Sequence, residues 1–152
     1  MRGGHEIRFA LLAGLSCLAA ACSPYLERET PGVFFDVQLA ESPPSNLCQE
    51  FAVALAAQLN FTMKSHGPLG QPDQCGALLS EAGDAPLREI WITTDPARKL
   101  LFVELRQRGP DGPEKPSRQT QELGKRLARL IAERFPAARI TRGKRFSGQL
   151  AR

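Results

Sequence analysis

Alternation of apolar and polar residues predicts the first strand of the chain. Val33, Phe35, Val37 and Leu39 occur at every second position, which places them on one face of an extended segment. A period of two is typical of a strand that buries one side. The pattern therefore predicts a strand over residues 32–39, ended by the Pro-rich segment that follows.

Two further apolar runs predict a hairpin. Residues 89–94 and 100–106 are rich in β-branched and large apolar residues, and Pro96 occupies the favoured second position of the turn between them. We expect this hairpin at the centre of the sheet. Its buried face would contain Ile90, Ile92, Leu101, Val103 and Leu105. Trp91 then lies on the opposite face, where it packs on the sheet or anchors a partner.

Helical periodicity predicts two helices. In residues 47–59, apolar side chains recur at every fourth position, and Asn46 and Gln49 match the residues of a capping box. A second helix is predicted over 118–135, capped by Ser117 and ended by a proline at 136. Its apolar stripe consists of Leu123, Leu127, Leu130 and Ile131. Gly124 borders this stripe, where a missing side chain would let the helix approach the sheet closely.

The remaining segments carry weaker patterns. Residues 61–64 predict a short strand, and residues 138–141 predict a last one. Between 67 and 86, frequent Gly and Pro predict a long loop, with one helical turn at 77–81. The whole order predicts an α+β fold, a two-layer sandwich with a mainly antiparallel sheet and two helices on one face. Its outline resembles the ferredoxin-like βαββαβ unit.

The N-terminal residues have the pattern of a secretory signal peptide. Basic residues precede an apolar run of about thirteen residues, which is short for a membrane span of about twenty. The run ends in Leu18-Ala19-Ala20-Ala21 before Cys22, which resembles the lipobox of bacterial lipoproteins. That resemblance implies that Cys22 carries palmitate and that, with Ser23 after it, the protein faces the periplasm from the outer membrane. The alternatives are a secreted protein cleaved after Ala21 and an uncleaved anchor.

These patterns divide the chain into four parts. We expect a signal peptide over 1–21, a lipidated tether over 22–31, one α+β domain over 32–142 and a basic tail over 143–152. In its predicted architecture and cellular localisation, this arrangement resembles lipopolysaccharide-transport accessory lipoproteins and the auxiliary lipoproteins of ABC transporters. The resemblance includes no shared residue motif, so it implies no function.

Two of the four cysteines remain for the domain once Cys17 leaves with the signal peptide and Cys22 is lipidated. In an oxidising compartment, Cys48 and Cys75 are most simply a disulfide. The bond would link the long loop to the first helix. Closing a loop of about 28 residues stabilises a chain by about 3–4 kcal/mol in the chain-entropy model.

Charge supplies the only asymmetric feature. The formal net charge of +4 is mild and does not indicate a nucleic-acid partner. Basic residues are concentrated near the C-terminus. One interpretation is a solvated face, and the other is a patch for anionic lipid, lipopolysaccharide or an acidic envelope protein. The residues of this predicted patch are Lys125, Arg126, Arg129, Arg139, Arg142, Lys144 and Arg145.

No residue pattern indicates a catalytic, cofactor or metal site. His66 follows Ser65, but adjacent residues in an extended segment point to opposite faces, so His66 is interpreted as a loop residue. The sequence predicts a membrane-anchored lipoprotein that acts as a non-enzymatic accessory or binding subunit. The alternatives are a small cell-envelope hydrolase and an unlipidated secreted inhibitor or binding module.

Overall fold

The structure, a computed structural model, describes residues 32–83, 87–108 and 115–143. These form an antiparallel sheet of six strands with two helices, which confirms the α+β class. The predicted signal peptide, the tether, Cys22, Lys144 and Arg145 lie outside the described residues. In chain order the elements are β1 (Gly32–Gln38), α1 (Leu47–Leu59), β2 (Phe61–Pro68), β3 (Cys75–Glu81), β4 (Arg88–Asp95), β5 (Leu100–Gln107), α2 (Arg118–Arg134) and β6 (Arg139–Arg142).

The strands lie side by side in the order β2-β3-β4-β5-β1-β6. The predicted hairpin of β4 and β5 occupies the two central positions, with Ile92 opposite Val103. β1 pairs with β5 on its other side, and β6 pairs with β1 at the edge of the sheet. The four strands β2 to β5 follow one another as neighbours, whereas α1 connects β1 to β2 and α2 connects β5 to β6.

One face of the sheet and both helices share a single hydrophobic core. Phe51 and Leu55 of α1 and Leu127 and Ile131 of α2 belong to the same buried cluster as the inward side chains of the strands. We call this side of the sheet the helix-covered face. Its strand residues include Val33, Phe35, Val37, Ala77, Leu79, Ile90, Ile92, Leu101, Val103 and Leu105. The alternate strand residues form the other side, which we call the outer face. They include Phe34, Asp36, Leu78, Glu89, Trp91, Phe102, Glu104 and Arg106.

The helices begin differently. Ser117 caps α2, and its hydroxyl accepts a hydrogen bond from the backbone N–H of Thr120 at 3.2 Å. Asn46 precedes α1 but its side chain makes no capping hydrogen bond. Its Nδ2 instead donates to Oε1 of Glu50 at 2.6 Å, so the predicted capping box with Gln49 is wrong. The backbone of Asn46 is already helical, which turns its side chain away from the orphan N–H groups of the first turn.

The predicted long loop with a helical turn at 77–81 is wrong, because this part of the chain forms the strand β3. It is a strand paired on both sides, with β2 and with β4. β2 is also longer than predicted and continues past a bulge between Met63 and Ser65. β3 has little alternation in sequence because nearly all of it is buried, including Gly76 and Ser80 on the outer face. Without alternation, short apolar runs do not distinguish strand from helix.

Two close contacts join the helices to the sheet. Cys48 of α1 and Cys75 of β3 form the predicted disulfide, with their Cα atoms 5.8 Å apart. A Cβ on Gly124 of α2 would lie 3.0 Å from a methyl carbon of Val33. The predicted close approach of α2 at this glycine is therefore confirmed. Among the described residues, neither helix combines the length and apolarity that crossing a membrane requires.

Candidate functional site

A cleft of about 490 Å³ opens between the end of α1 and the beginning of α2. This volume lies in the range of about 300–1,000 Å³ that is typical of small-ligand sites. The floor is apolar because Leu59 ends α1 and left-handed Asn60 turns the chain directly into Phe61 of β2. The walls are mainly charged. The lining residues are Leu59, Phe61, Glu81, Arg88, Arg118, Gln119, Glu122, Leu123 and Arg126.

Arg88 and Glu81 form a two-point ion pair at one side of the cleft. Nε of Arg88 lies 3.0 Å from Oε2 of Glu81, and Nη2 lies 2.5 Å from Oε1. Arg88 begins β4 and Glu81 ends the neighbouring β3, so the sheet itself sets their separation. Both side chains are largely buried, at 16% and 25% exposure. The pair holds the Arg88 guanidinium in place and neutralises its charge.

Arg126 crosses the gap between the helices. Its Nη2 donates to the backbone oxygen of Gln58, 3.2 Å away in the last turn of α1. That turn presents the negative end of the helix dipole, which favours a cation there. Among the described residues, Arg126 forms no ion pair with a carboxylate. Its guanidinium therefore lines the cleft with a positive charge that only carbonyl dipoles offset.

Arg118 supplies a second cation that lacks a carboxylate partner in the described part of the chain. It lies in the first turn of α2, where the helix dipole is also positive. The remaining acid of the cleft, Glu122, is paired with Lys125, whose Nζ lies 2.8 Å from Oε1. Both acids of the cleft are thus paired, whereas two of its three arginines are not. The electrostatic balance favours an anionic ligand.

The structure places the predicted basic patch on several surfaces. Lys125, Arg126 and Arg129 are exposed on α2, as predicted, although Arg126 points toward α1. Arg129 borders a smaller depression of about 130 Å³ beside the cleft. Arg139 and Arg142 both lie on β6, but their register places them on opposite faces of the sheet. A joint role of the seven residues as one basic patch remains a prediction.

Arg88 and Arg118 were not among the sequence candidates. Arg88 and Arg118 belong to elements separated by the whole of β5, so no local pattern associates them. A signal did exist within α2: Arg118, Glu122 and Arg126 recur at every fourth residue, which places them along one side of the helix. Only the sheet brings Arg88 to that side.

The other sequence candidates lie away from the cleft. His66 is exposed in β2, within a strand rather than the predicted loop, and Ser65 occupies the preceding strand position. Trp91 is half-buried on the outer face, as predicted. The guanidinium of Arg106 lies 5.0 Å from the centre of its ring. Within residues 32–83, 87–108 and 115–143, no group of three or more His, Cys, Asp or Glu side chains is arranged to hold a metal ion.

Comparisons of this chain with protein-family models, with curated proteins and with solved structures find no significant match.

Proposed function

We propose that this protein is a lipid-anchored envelope lipoprotein that binds the phosphate groups of anionic lipid or lipopolysaccharide as a non-enzymatic accessory subunit. The observation that carries the binding proposal is the cleft with two arginines that pair with no carboxylate of the described residues. The proposed localisation rests on the sequence, in which Cys22 follows a signal-like segment and small residues. A lipid on Cys22 would keep the domain near the surface that bears its ligand.

The chemistry of the cleft suits a phosphate. A guanidinium offers paired N–H donors whose geometry matches phosphate oxygens, and it stays charged at all physiological pH values. Arg118 and Arg126 line the cleft from one helix, two turns apart, so a phosphate in the cleft can accept hydrogen bonds from either guanidinium. Lys125 and Arg129 on the exposed side of α2 extend the positive field toward an anionic surface. Each basic residue close to such a surface contributes about 1 kcal/mol.

We also propose that the fold is ferredoxin-like and two-layered. Strands β4, β5, β1 and β6 lie in the order expected of a βαββαβ unit, with α1 following β1 and α2 following β5. The hairpin of β2 and β3 would then be an insertion between α1 and β4 that widens the sheet. Its presence creates the cleft, because Phe61 and Glu81 belong to it.

Binding to vesicles tests the cleft. The protein is mixed with vesicles of neutral lipid and with vesicles that contain an anionic phospholipid or lipopolysaccharide, at low and at high salt. We expect a preference for the anionic vesicles that high salt weakens. Arg118→Gln with Arg126→Gln should reduce that binding about tenfold. Lys64→Gln with Arg134→Gln removes the same number of charges from exposed positions outside the cleft and serves as the matched control.

Two outcomes of the vesicle experiment would contradict the proposal. Equal binding to neutral and anionic vesicles would exclude phosphate recognition. An equal loss of binding in the charge-matched control would show that binding follows net charge and not the cleft. The anchor is tested separately with labelled palmitate: wild type should incorporate it and Cys22→Ser should not. An unlabelled wild type would favour the secreted alternative.

A further inference from the structure

The cleft continues as a row of smaller cavities between the two helices. Two depressions, of about 130 and 210 Å³, follow it along α1 and α2. Arg126 lines both the cleft and the nearer depression. Gln58, Leu130 and Glu133 line both depressions, so the three cavities adjoin one another. We call the two depressions together the interhelical groove.

The floor of this groove is apolar. Phe51 and Leu55 of α1 line the farther depression and are almost fully buried, with Leu130 of α2 half-buried beside them. All three belong to the hydrophobic core or pack against it. They extend the apolar floor of the cleft, where Leu59 and Phe61 are also buried. An apolar chain in the groove would contact the core and leave water, which is favourable in proportion to the area that it buries.

Polar side chains cross the groove on its solvent side. Next to the cleft, Arg126 donates to the backbone oxygen of Gln58. At the far end, Nη2 of Arg134 lies 3.7 Å from Oε2 of Glu50. All four residues are exposed, whereas the floor beneath them is buried. Exposed contacts of this kind contribute little to stability, so a ligand can displace them without a large cost.

The groove meets the cleft beside its cationic wall. Arg126 lies at the junction, and neither Arg126 nor Arg118 is paired with a carboxylate of the described residues. A ligand that joins an anionic group to an apolar chain would match both parts, with the anion beside the arginines and the chain on the floor of the groove. A free phosphate would not contact the groove, and an uncharged chain would leave the arginines without an anion. Charge and polarity together therefore select an anionic amphiphile.

We propose that one acyl chain of the phosphate-bearing lipid lies in the interhelical groove, so that the domain holds a single lipid molecule rather than only a lipid surface. This chain site rests on the proposed phosphate site of the cleft, since the phosphate fixes where the chain begins. From Leu123 in the cleft to Leu130 in the groove, α2 rises about 10 Å. Beyond Leu130, the ring of Phe135 packs edge-on against Phe51, with ring centres 5.2 Å apart, and closes this end. Affinity should therefore increase with chain length and level off once the groove is filled.

Titration calorimetry with soluble lipids tests the chain site. The full chain is titrated with glycerol phosphate and with hexanoyl, decanoyl and myristoyl lysophosphatidic acid, each below the concentration at which it forms micelles. We expect the affinity to increase about threefold for each methylene that enters the groove, near the limit of about fourfold for complete burial. The monoacylglycerol of decanoic acid has the chain but no phosphate, and it should bind about tenfold more weakly than the decanoyl lysophosphatidic acid.

Ala54→Phe is a variant that fills the groove. Ala54 is half-buried on α1 and lines the farther depression, away from the arginines of the cleft. The variant should weaken binding of the myristoyl lipid about tenfold, because about two methylenes lose their place, and should leave glycerol phosphate unaffected. Ala57→Phe places the same ring at an exposed position of the same helix and is the matched control.

The outcomes separate the chain site from the phosphate site. Affinity that does not change with chain length would overturn the chain site, and with phosphate still bound it would leave the proposed function intact. Equal affinity for the lysophosphatidic acid and the monoacylglycerol would overturn the phosphate site, and with it the inferred position of the lipid. Equal losses in Ala54→Phe and Ala57→Phe would also overturn the chain site, because binding would then not depend on the groove.

Discussion

The two faces of the same sheet are stabilised in different ways. On the helix-covered face, the central strands present mainly apolar side chains, with Thr94 among them and with Arg88 and Gln107 at one end, and Leu79, Ile90 and Ile92 are completely buried. On the outer face, the intervening residues are aromatic rings among ion pairs, such as Trp91 beneath the guanidinium of Arg106. Burial of apolar area stabilises the first face, at about 25 cal/mol per Å². Partly exposed contacts stabilise the second, where single ion pairs contribute little.

The difference shows how one strand can serve structure and recognition at once. Side chains alternate between the faces, so a substitution on the outer face changes a surface without creating a cavity in the core. Trp91 and Ile92 are neighbours in the chain, yet one belongs to a half-open surface and the other to the interior. The comparison predicts that adjacent residues of the same type will respond very differently to the same substitution.

Leu78 and Leu79 in β3 test this contrast most directly. Leu79 is fully buried on the helix-covered face, whereas Leu78 is half-buried opposite Trp91. Leu79→Ala should lower the free energy of unfolding by about 3–4 kcal/mol because it leaves a cavity. Leu78→Ala should lower it by about 1 kcal/mol because its surroundings already contact solvent. Urea denaturation measures both, and equal losses would contradict the distinction between the faces.

Gly124 tests how tightly α2 packs on the covered face. Alanine in place of glycine favours a helix by about 1 kcal/mol. Here its Cβ would lie 3.0 and 3.1 Å from the two methyl carbons of Val33, and overpacking costs about 1–3 kcal/mol. We expect Gly124→Ala to be destabilising by about 1 kcal/mol in wild type and stabilising in a Val33→Ala background. A double-mutant cycle measures this coupling, and additive effects would show that the contact is not restrictive.

The sequence predicted the elements whose patterns are local. Val33, Phe35 and Val37 alternate because one side of β1 is buried, and the four-residue spacing in α1 reflects its single contact with the sheet. The face of Trp91 followed from the same alternation. The disulfide followed from the count of cysteines and the expected compartment. In each case the physical cause acts within a few residues or through composition alone.

The features that the sequence did not predict depend on contacts between distant parts of the chain, which no local pattern encodes. β3 was missed because nearly all of its residues are buried, on the outer face as well as on the helix-covered face, which removes the alternation that identifies a strand. The cleft was missed because the β2–β3 hairpin brings Glu81 and Phe61 under α2, and only the sheet order shows this. The capping box failed because the backbone of Asn46 is already helical and its side chain contacts Glu50 instead.

Two acids of the outer face have pKa values shifted in opposite directions. Burial raises the pKa of Asp36, which no described cation contacts. Hydrogen bonding to the Arg98 side chain lowers the pKa of Asp95, with Nε of Arg98 2.5 Å from Oδ2. The two residues lie on the same face, so exposure alone does not decide the direction. A positioned cation does, and Arg98 is held in the turn by its backbone N–H, 3.1 Å from Oδ1 of Asp95.

The lowered pKa of Asp95 gives the smallest of these effects and a defined dependence on pH. Because the folded pKa is below the ordinary value of 3.8, the stabilising contribution is present above about pH 4 and is lost as the pH falls through the folded pKa. Asp95→Asn keeps an oxygen for the backbone N–H and removes only the charge. It should lower the free energy of unfolding by about 0.5 kcal/mol at pH 7, since Arg98 is largely exposed, and by almost nothing near pH 2. Denaturation at both pH values measures this, with Glu41→Gln as the control for an exposed acid. A loss that is the same at both pH values would show that the charge of Asp95 does not stabilise the turn.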